Sequence, residues 1–151
     1  MSDREIRLQR LIDAPIEVTF HHWTDPDSRR RWCAPEDNWM AAAASDLRVG
    51  GAWSVTFGPT AEQMYRIDGA YLEVDPPTRL VHSSVFRYPD GRSFETRTTV
   101  TFEARSGQTL LTFIDTGYPT GEDLGVFEAG TVAVLDAFAR AVGASPSYEH
   151  L

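Results

Sequence analysis

His82 is the residue of this sequence whose side chain is best suited to chemistry. The alternate residues of this segment are Leu80, His82, Ser84, Phe86 and Tyr88. If the segment is a strand, these residues share one face, so the imidazole points to a largely apolar face. A neutral imidazole can donate one hydrogen bond and accept another, and acid–base catalysis would need a carboxylate as its partner. The alternative is a core histidine bonded to a neighbour. No residues at metal-ligand or catalytic-triad spacing surround it, so we predict no metal site.

Arg66 and Asp68 are a second candidate pair, on a predicted strand over residues 62–74. If their face lines a cavity, the two charges must be satisfied there and would orient a bound ligand. In the other register both charges lie in water, as charges usually do, and the inward residues are Tyr65, Ile67 and Tyr71. The sequence leaves both registers open, and we retain Arg66 as a candidate ligand-binding residue.

The remaining histidines and the cysteine favour ordinary structural roles. His21 and His22 are adjacent on a predicted helix and point about 100° apart, so they cannot chelate one ion together and are expected at the surface or an edge. His150 lies in the tail and supports no role. Cys33 has no partner for an intrachain disulfide, which fits a reducing compartment. No lysine or histidine beside Cys33 lowers its thiol pKa, so we expect an inert thiol.

The composition predicts one domain spanning residues 1–151, with a sizeable core. A net charge of −8 argues against binding to nucleic acid or to an anionic membrane, because such proteins carry a basic surface. The basic run Arg29-Arg30-Arg31 is diluted by the acids around it. The sequence shows no signal peptide and no apolar run of membrane-spanning length, so we expect a cytoplasmic location without membrane insertion.

The elements that must position these residues are organised around a long helix predicted from Glu122 to Val142. Its apolar residues recur at steps of three and four, and the resulting stripe is Leu124, Phe127, Thr131, Leu135, Phe138 and Val142. Thr120 and Gly121 can begin the helix, and Gly143 with Pro146 can end it. Gly130 costs about 1 kcal/mol relative to alanine inside a helix. Either the helix backbone approaches a strand there, or the space is kept for a ligand.

Upstream of this helix the pattern is mostly that of strands. A first strand over 5–11 is followed by two short helices ending near Trp23 and Trp32, and then by six strands over 39–47, 52–57, 62–74, 79–88, 93–104 and 109–116. The first of these six is the weakest prediction, because Ala41 to Ala44 prefer helix. Gly69, inside a strand, indicates a bulge or a close backbone approach. Hairpin-linked strands favour one antiparallel sheet curled around the last helix, which is an α+β helix-grip fold with a cavity between helix and sheet.

Several short segments keep a common order along nearly the whole chain. They are Asp13-Ala14-Pro15, Phe20 with Trp23-Thr24-Asp25-Pro26, Trp32 with Pro35, Asp46-Leu47-Arg48-Val49-Gly50-Gly51, Gly69-Ala70-Tyr71-Leu72-Glu73-Val74, Pro76-Pro77 with Arg79-Leu80, Glu95-Thr96-Arg97, and Gly130. Together they resemble the START-like (SRPBCC) superfamily, and most closely the branch related to the C-terminal domain of the activator of heat shock protein 90 ATPase.

The resemblance implies a deep, mostly apolar cavity beneath the C-terminal helix, but the superfamily includes carriers, cyclases, resistance proteins and co-chaperone domains. Two departures matter. In the family, the tryptophan that corresponds to Trp32 is usually followed by a second aromatic residue and Gly-Pro, whereas this chain has Trp32-Cys33-Ala34-Pro35. Relatives often carry tryptophan after the helix glycine, where this chain has Thr131.

We therefore expect the protein to bind a small hydrophobic or aromatic ligand, for transport, sequestration or sensing, without a cofactor. The alternative is a cyclase, dehydratase or hydrolase acting on an aromatic or polyketide-like substrate, with His82 as the candidate catalytic residue. A chaperone co-activator role is a third alternative, although 151 residues leave no room for the N-terminal domain of the eukaryotic activators. The open edges of a curled sheet would allow a homodimer. The predicted ligand-binding residues are Trp32, Trp53, Phe57, Arg66, His82, Phe86, Thr98, Phe113, Phe127 and Thr131.

Overall fold

The computed structural model describes residues 4–34, 36 and 38–143. Pro35, Pro146 and His150, which entered the sequence analysis, lie outside the described residues. The elements follow the predicted order: β1 (Glu5–Ile12), α1 (Ile16–Thr24), α2 (Pro26–Trp32), β2 (Met40–Ser45), β3 (Ala52–Gly58), β4 (Tyr65–Asp75), β5 (Arg79–Arg87), β6 (Ser93–Arg105), β7 (Gln108–Thr116) and α3 (Gly121–Gly143).

The strands form one antiparallel sheet in the order β1-β7-β6-β5-β4-β3-β2. Strands β2 to β7 are neighbours in sequence and in space, as successive hairpins require. Strand β1 pairs along its whole length with β7, so the first and last strands are adjacent. The sheet curls around α3, which confirms the predicted α+β helix-grip fold.

Helix α3 packs the C-terminal half of its apolar stripe into the core. Leu135, Phe138 and Val142 are completely buried, and burying a side chain of this size contributes about 1.5–3 kcal/mol. The helix begins with a reciprocal cap, because the Thr120 hydroxyl oxygen accepts from the Asp123 amide and donates to the Asp123 carboxylate. Phe127, near the other end of the stripe, is only half-buried. The N-terminal half of α3 therefore leaves room between the helix and the sheet.

The two short helices close one end of the sheet. Asp25 begins α2 by accepting a hydrogen bond from the Ser28 amide, and Pro26 occupies the first turn, where its missing N–H is harmless. Trp23 of α1 and Trp32 of α2 pack ring to ring at 4.8 Å, and both contact Phe138 of α3 at ring-centroid distances of 5.0 and 4.7 Å. These contacts fix α1 and α2 against α3.

Two ambiguous predictions for the sheet are resolved. All six residues of β2, including the alanine run, pair with β3, which confirms the strand. Gly69 marks a close backbone approach, because a Cβ atom there would collide with the carbonyl oxygen of Ser83. The irregularity in the pairing of β4 with β5 lies farther along, between Tyr71 and Glu73. In the described part of the chain, no helix is both long and apolar enough to cross a membrane.

Candidate functional site

A cavity of about 320 Å³ lies between α3 and the concave face of the sheet. This volume falls at the lower end of the range for small-molecule sites. Because side chains alternate along a strand, each strand from β3 to β7 directs every second residue into the cavity. The strand residues on the cavity wall are Trp53, Val55, Phe57, Tyr65, Ile67, His82, Ser84, Phe86, Phe94, Thr96, Thr98, Phe113 and Asp115. The wall is therefore mostly apolar, with a few polar groups at defined positions.

The outer part of the cavity is formed by aromatic rings beneath the first half of α3. Phe127 of α3 meets Phe86 edge to face at a centroid distance of 4.2 Å and Phe94 at 5.3 Å. Next to this cluster, a Cβ atom at Gly130 would have no neighbour within 4 Å. Val126, which also lines the cavity, is 62% exposed, so the cavity opens to solvent along this part of α3.

A chain of hydrogen bonds crosses the sheet along the cavity wall. The Thr98 hydroxyl donates to the Asp115 carboxyl at 2.9 Å, and the Tyr118 hydroxyl donates to the other oxygen of that carboxyl at 2.6 Å. Because the Thr98 hydrogen is directed at Asp115, its oxygen accepts from the Ser84 hydroxyl at 2.7 Å. The Ser84 oxygen in turn lies 3.2 Å from Nδ1 of His82.

The same contacts assign the tautomer of His82. Nδ1 lies 3.2 Å from both the Ser84 hydroxyl oxygen and the Ser83 carbonyl oxygen, and a carbonyl can only accept. Nδ1 therefore carries the proton, and Nε2 is the nitrogen that can accept a hydrogen bond. His82 is 4% exposed and packs against Trp53 at a ring-centroid distance of 4.5 Å.

Burial dominates the protonation of these polar groups. Burial, and after it the charge of Arg29, lower the pKa of His82 from 6.5 to about 3, so the imidazole is neutral at pH 7. Burial raises the pKa of Asp115, although hydrogen bonds from Tyr118, Thr96 and Thr98 oppose the rise. Burial also raises the pKa of Tyr118, and the neighbouring Asp115 adds to this effect, so Tyr118 stays a donor.

The inner end of the cavity contains a cation enclosed by tryptophans. Arg29 of α2 is 5% exposed, and its guanidinium carbon lies 5.6 Å from the ring centroid of Trp23, 5.5 Å from that of Trp32 and 5.4 Å from that of Trp53. No ion pair within the described residues includes Arg29. Among the described residues, three buried donor nitrogens without a hydrogen-bond partner belong to this group: Nη1 of Arg29, Nε1 of Trp23 and Nε1 of Trp32.

The chain matches the family model described as activator of Hsp90 ATPase homolog 1-like protein over residues 13–143. The chain belongs to this family. Its fold is similar to that of a protein from Chromobacterium violaceum, at 27% identity and a TM-score of 0.81, covering 92% of this chain and 97% of the other. A protein from Rhizobium leguminosarum is 26% identical with a TM-score of 0.81, covering 93% and 95% of the two chains.

An AHSA1-like protein from Aeromonas hydrophila is 28% identical to the chain, with a TM-score of 0.74 and coverage of 93% of this chain and 92% of the other. No protein with a curated description is significantly similar to the chain. The family assignment agrees with the superfamily that the sequence segments resemble, and with the helix-grip fold.

At Thr131, where this family often carries tryptophan, the predicted cavity is present. The Thr131 hydroxyl donates to the Phe127 carbonyl oxygen at 2.7 Å, one turn earlier in α3, and does not reach across the cavity. Thr131 lines the cavity together with Phe127, Leu135, Trp53, Phe86 and Thr98. The open space beside Gly130 excludes the alternative of a close helix–strand approach at that glycine.

Most residues predicted to bind a ligand lie on the cavity wall: Trp32, Trp53, Phe57, His82, Phe86, Thr98, Phe113, Phe127 and Thr131. Ligand binding by these residues stays a prediction. Cys33 also lines the cavity, and burial raises its pKa to about 11, which agrees with an inert thiol. His21 is exposed and His22 half-buried, with His22 Nδ1 2.8 Å from the Ser28 hydroxyl.

The placement of Arg66 on the cavity is wrong. Its side chain is 48% exposed and forms an ion pair of 2.7 Å with Asp68, which Arg87 of the adjacent strand also binds at 2.9 Å. Strand β4 instead has the register in which the charges lie on the outer face and the inward residues are Tyr65, Ile67 and Tyr71. Burying an arginine inside an apolar cavity without a full set of partners is costly, whereas this outer network leaves it partly hydrated.

The sequence did not predict Arg29, Asp115 and Tyr118 as residues of the site. Arg29 belongs to the basic run that the sequence analysis considered only as a sign of nucleic-acid binding, but it is three residues before Trp32 and so shares the buried face of α2. Asp115 has the same strand parity as Leu111 and Phe113, which is the signal that could have marked it as an inward-facing acid. Nothing in the sequence around Tyr118 places it beside Asp115, because it follows the end of β7.

Proposed function

We propose that the protein binds one small apolar or aromatic molecule in the cavity between α3 and the sheet, and acts in transport, sequestration or sensing. The observation that carries the proposal is the cavity itself: about 320 Å³ of space with a wall of aromatic and aliphatic side chains, open along the first half of α3. The apolar lining of such an open cavity faces water instead of packing against other apolar groups, which is costly. Occupation by an apolar ligand would restore those contacts.

Three features of the chain support this proposal. Gly130 and Thr131 stand where larger side chains would fill the space. The aromatic residues at the open side provide large apolar area with little loss of conformational freedom on binding. The few polar groups, on Ser84, Thr98 and Asp115, are positioned by hydrogen bonds among themselves, as is typical of pre-formed ligand sites.

The test is a native mass spectrum of freshly purified full-length protein, followed by titration with hydrophobic fluorescent probes such as N-phenyl-1-naphthylamine. We expect either a co-purified small molecule or saturable binding of one probe per chain. Thr131→Trp is designed to fill the cavity and should abolish or weaken that binding, whereas Val49→Trp, at an exposed position, is a matched control. A protein that carries no ligand and binds none of the probes would contradict the proposal.

Acid–base catalysis on an aromatic or polyketide-like substrate is a second candidate function. The observation that favours it is the hydrogen-bond chain that connects the imidazole of His82 to the carboxyl group of Asp115 on the cavity wall. The low pKa of His82 makes it a weak base, whereas the raised pKa of Asp115 suits a group that carries a proton. Incubating any co-purified molecule with the wild type and with Asp115→Asn would test it. A molecule whose mass and chromatographic retention time both stay unchanged would exclude turnover of that compound.

A further inference from the structure

We propose that the ligand is an amphipathic acid, whose anionic group binds Arg29 at the inner end of the cavity and whose apolar part lies under Phe127 and Thr131. This inference rests on the proposed ligand-binding function and specifies its substrate class. It starts from Arg29, because a guanidinium stays charged at any physiological pH and lies here in the least hydrated part of the site.

The charge of Arg29 is not neutralised within the described part of the chain. Burial lowers its pKa, and the groups that oppose this are Tyr71, through a hydrogen bond, and Cys33. The thiol of Cys33 has a pKa of about 11, and the Tyr71 hydroxyl already shares a hydrogen bond of 2.7 Å with Ser45. Within the described residues, Arg29 therefore has a phenol and a thiol as polar neighbours but no carboxylate counter-ion.

Asp115 does not serve as that counter-ion. Its carboxyl oxygens are occupied by Thr98 and Tyr118, and the groups that shift its pKa do not include Arg29. After burial, the charge of Arg29 is the second cause of the lowered pKa of His82, as expected for a cation near the cavity wall. An anion in this part of the cavity would therefore be attracted by one buried charge and would face a neutral imidazole.

The same place offers unsatisfied donors for an anion. Nη1 of Arg29 and the indole nitrogens of Trp23 and Trp32 lack a hydrogen-bond partner within the described residues, and all three side chains line the cavity. Leaving a buried donor unpaired is costly, and more so for a charged group. A carboxylate has about four lone-pair sites and carries the opposite charge, so one such group can satisfy several donors.

The structural alternative is that Arg29 only packs against the three tryptophans. Cation–π contacts are favourable, and they are available to Arg29 whether or not a ligand is bound. They leave Nη1 of Arg29 without an acceptor among the described residues, and they do not explain why the indole nitrogens of Trp23 and Trp32 also lack one. An acid beside Arg29 would supply both the opposite charge and the acceptor oxygens that ring contacts alone do not provide.

The experiment compares two probes with the same anilinonaphthalene frame. N-phenyl-1-naphthylamine is neutral, and 1-anilinonaphthalene-8-sulfonate adds one anionic group. Both are titrated by fluorescence into the full-length protein, and the variants are Arg29→Met, Arg29→Lys and Arg30→Met. Arg30 is the matched control, because it belongs to the same helix and its side chain is 53% exposed.

We expect the wild type to bind the sulfonate at least tenfold more tightly than the neutral probe. Arg29→Met should lose this preference while still binding the neutral probe, Arg29→Lys should retain part of it, and Arg30→Met should retain all of it. Equal or weaker binding of the sulfonate by a wild type that binds the neutral probe would overturn the inference and leave the proposed function standing. Binding of neither probe would overturn the proposed function, and the inference with it.

If Arg29→Met does not fold, the comparison of the two probes on the wild type and on Arg29→Lys still decides the outcome. A preference for the sulfonate that is unchanged in a folded Arg29→Met protein would place the anion site elsewhere and refute the assignment to Arg29. Far-ultraviolet circular dichroism of each variant establishes that it is folded before titration.

Discussion

Lowering the pH from 7 to 5 should destabilise the folded protein through His82. In the native state the pKa of His82 is about 3, chiefly because the imidazole is buried and secondarily because Arg29 is charged. In the unfolded chain the imidazole titrates near 6.5, so the unfolded state takes up the proton first. The stability that His82 contributes is therefore present above pH 6.5 and is lost as the pH falls from 6.5 toward 3.

The magnitude follows from the difference between the two pKa values. Each pH unit below 6.5 costs about 1.4 kcal/mol until the native pKa is reached, so the loss at pH 5 is about 2 kcal/mol. For a domain whose free energy of unfolding is typically about 5–15 kcal/mol, this is a measurable fraction. Two other groups with shifted pKa values also change the stability between pH 7 and pH 5. The raised pKa of Asp115 works in the opposite direction, and the lowered pKa of the partly buried His22 adds a smaller loss.

The assay is urea unfolding at pH 7, 6 and 5, monitored by tryptophan fluorescence and by circular dichroism. His82→Gln removes the titrating group, and His21→Gln, at an exposed position of α1, is the matched control. We expect the free energy of unfolding of the wild type and of His21→Gln to fall by about 2 kcal/mol more than that of His82→Gln between pH 7 and pH 5. If His82→Gln loses as much stability as the wild type, the imidazole is not buried in its neutral form and the reasoning fails.

Two further predictions concern the two halves of α3. Phe138→Ala should cost about 3–5 kcal/mol of unfolding free energy, and Phe127→Ala clearly less, because Phe138 is completely buried whereas Phe127 borders the cavity. Urea unfolding measures both, and equal losses would contradict the idea that the site at Phe127 is already loosely packed. Thr131→Trp should weaken binding of N-phenyl-1-naphthylamine at least tenfold, about 1.4 kcal/mol, in a protein whose circular dichroism is unchanged. Unchanged affinity in the folded variant would locate the ligand site elsewhere.

The architecture could be predicted from the sequence because the periodicity of apolar residues reports directly on burial. The apolar stripe on α3 predicted the face that meets the sheet: Leu135, Phe138 and Val142 are completely buried, whereas its N-terminal residues are half-buried beside the cavity. The alanine run in β2 shows the limit of local propensity. Alanine favours a helix by only a fraction of a kilocalorie per residue, and pairing with β3 over six residues overrides that preference.

The candidate site was predicted less completely. The alternation of residues along a strand shows which side chains share a face, but not which of the two faces points to the cavity. For β4 the pattern allowed two registers, and the choice depended on the cost of burying Arg66 and Asp68. That cost correctly favours the outer face for Arg66. The same cost argument predicts the wrong environment for Arg29. Most arginines are solvated, but Arg29 is enclosed by three tryptophans.

Hydrogen-bond networks between strands are also invisible in one sequence. Thr98 and Ser84 are separated by a turn, and Asp115 lies on a third strand, so their contact depends on the exact stagger of β5, β6 and β7. Sequence periodicity fixes which residues share a face, but it does not fix this stagger. Polar residues on an otherwise apolar face are nevertheless a usable signal, because an unpaired polar group would be expensive there.

The energetics of Arg29 connect the fold to the selectivity that we propose. Burying a guanidinium costs several kilocalories per mole, about as much as removing all contacts of one core side chain, and the surrounding rings recover part of this cost. That cost is incurred when the protein folds, before any ligand arrives. An entering acid therefore meets a charge that is already dehydrated and held in place by Trp23, Trp32 and Trp53, so little further reorganisation is needed. In such surroundings one charge discriminates between an acid and its neutral counterpart more strongly than an exposed arginine would.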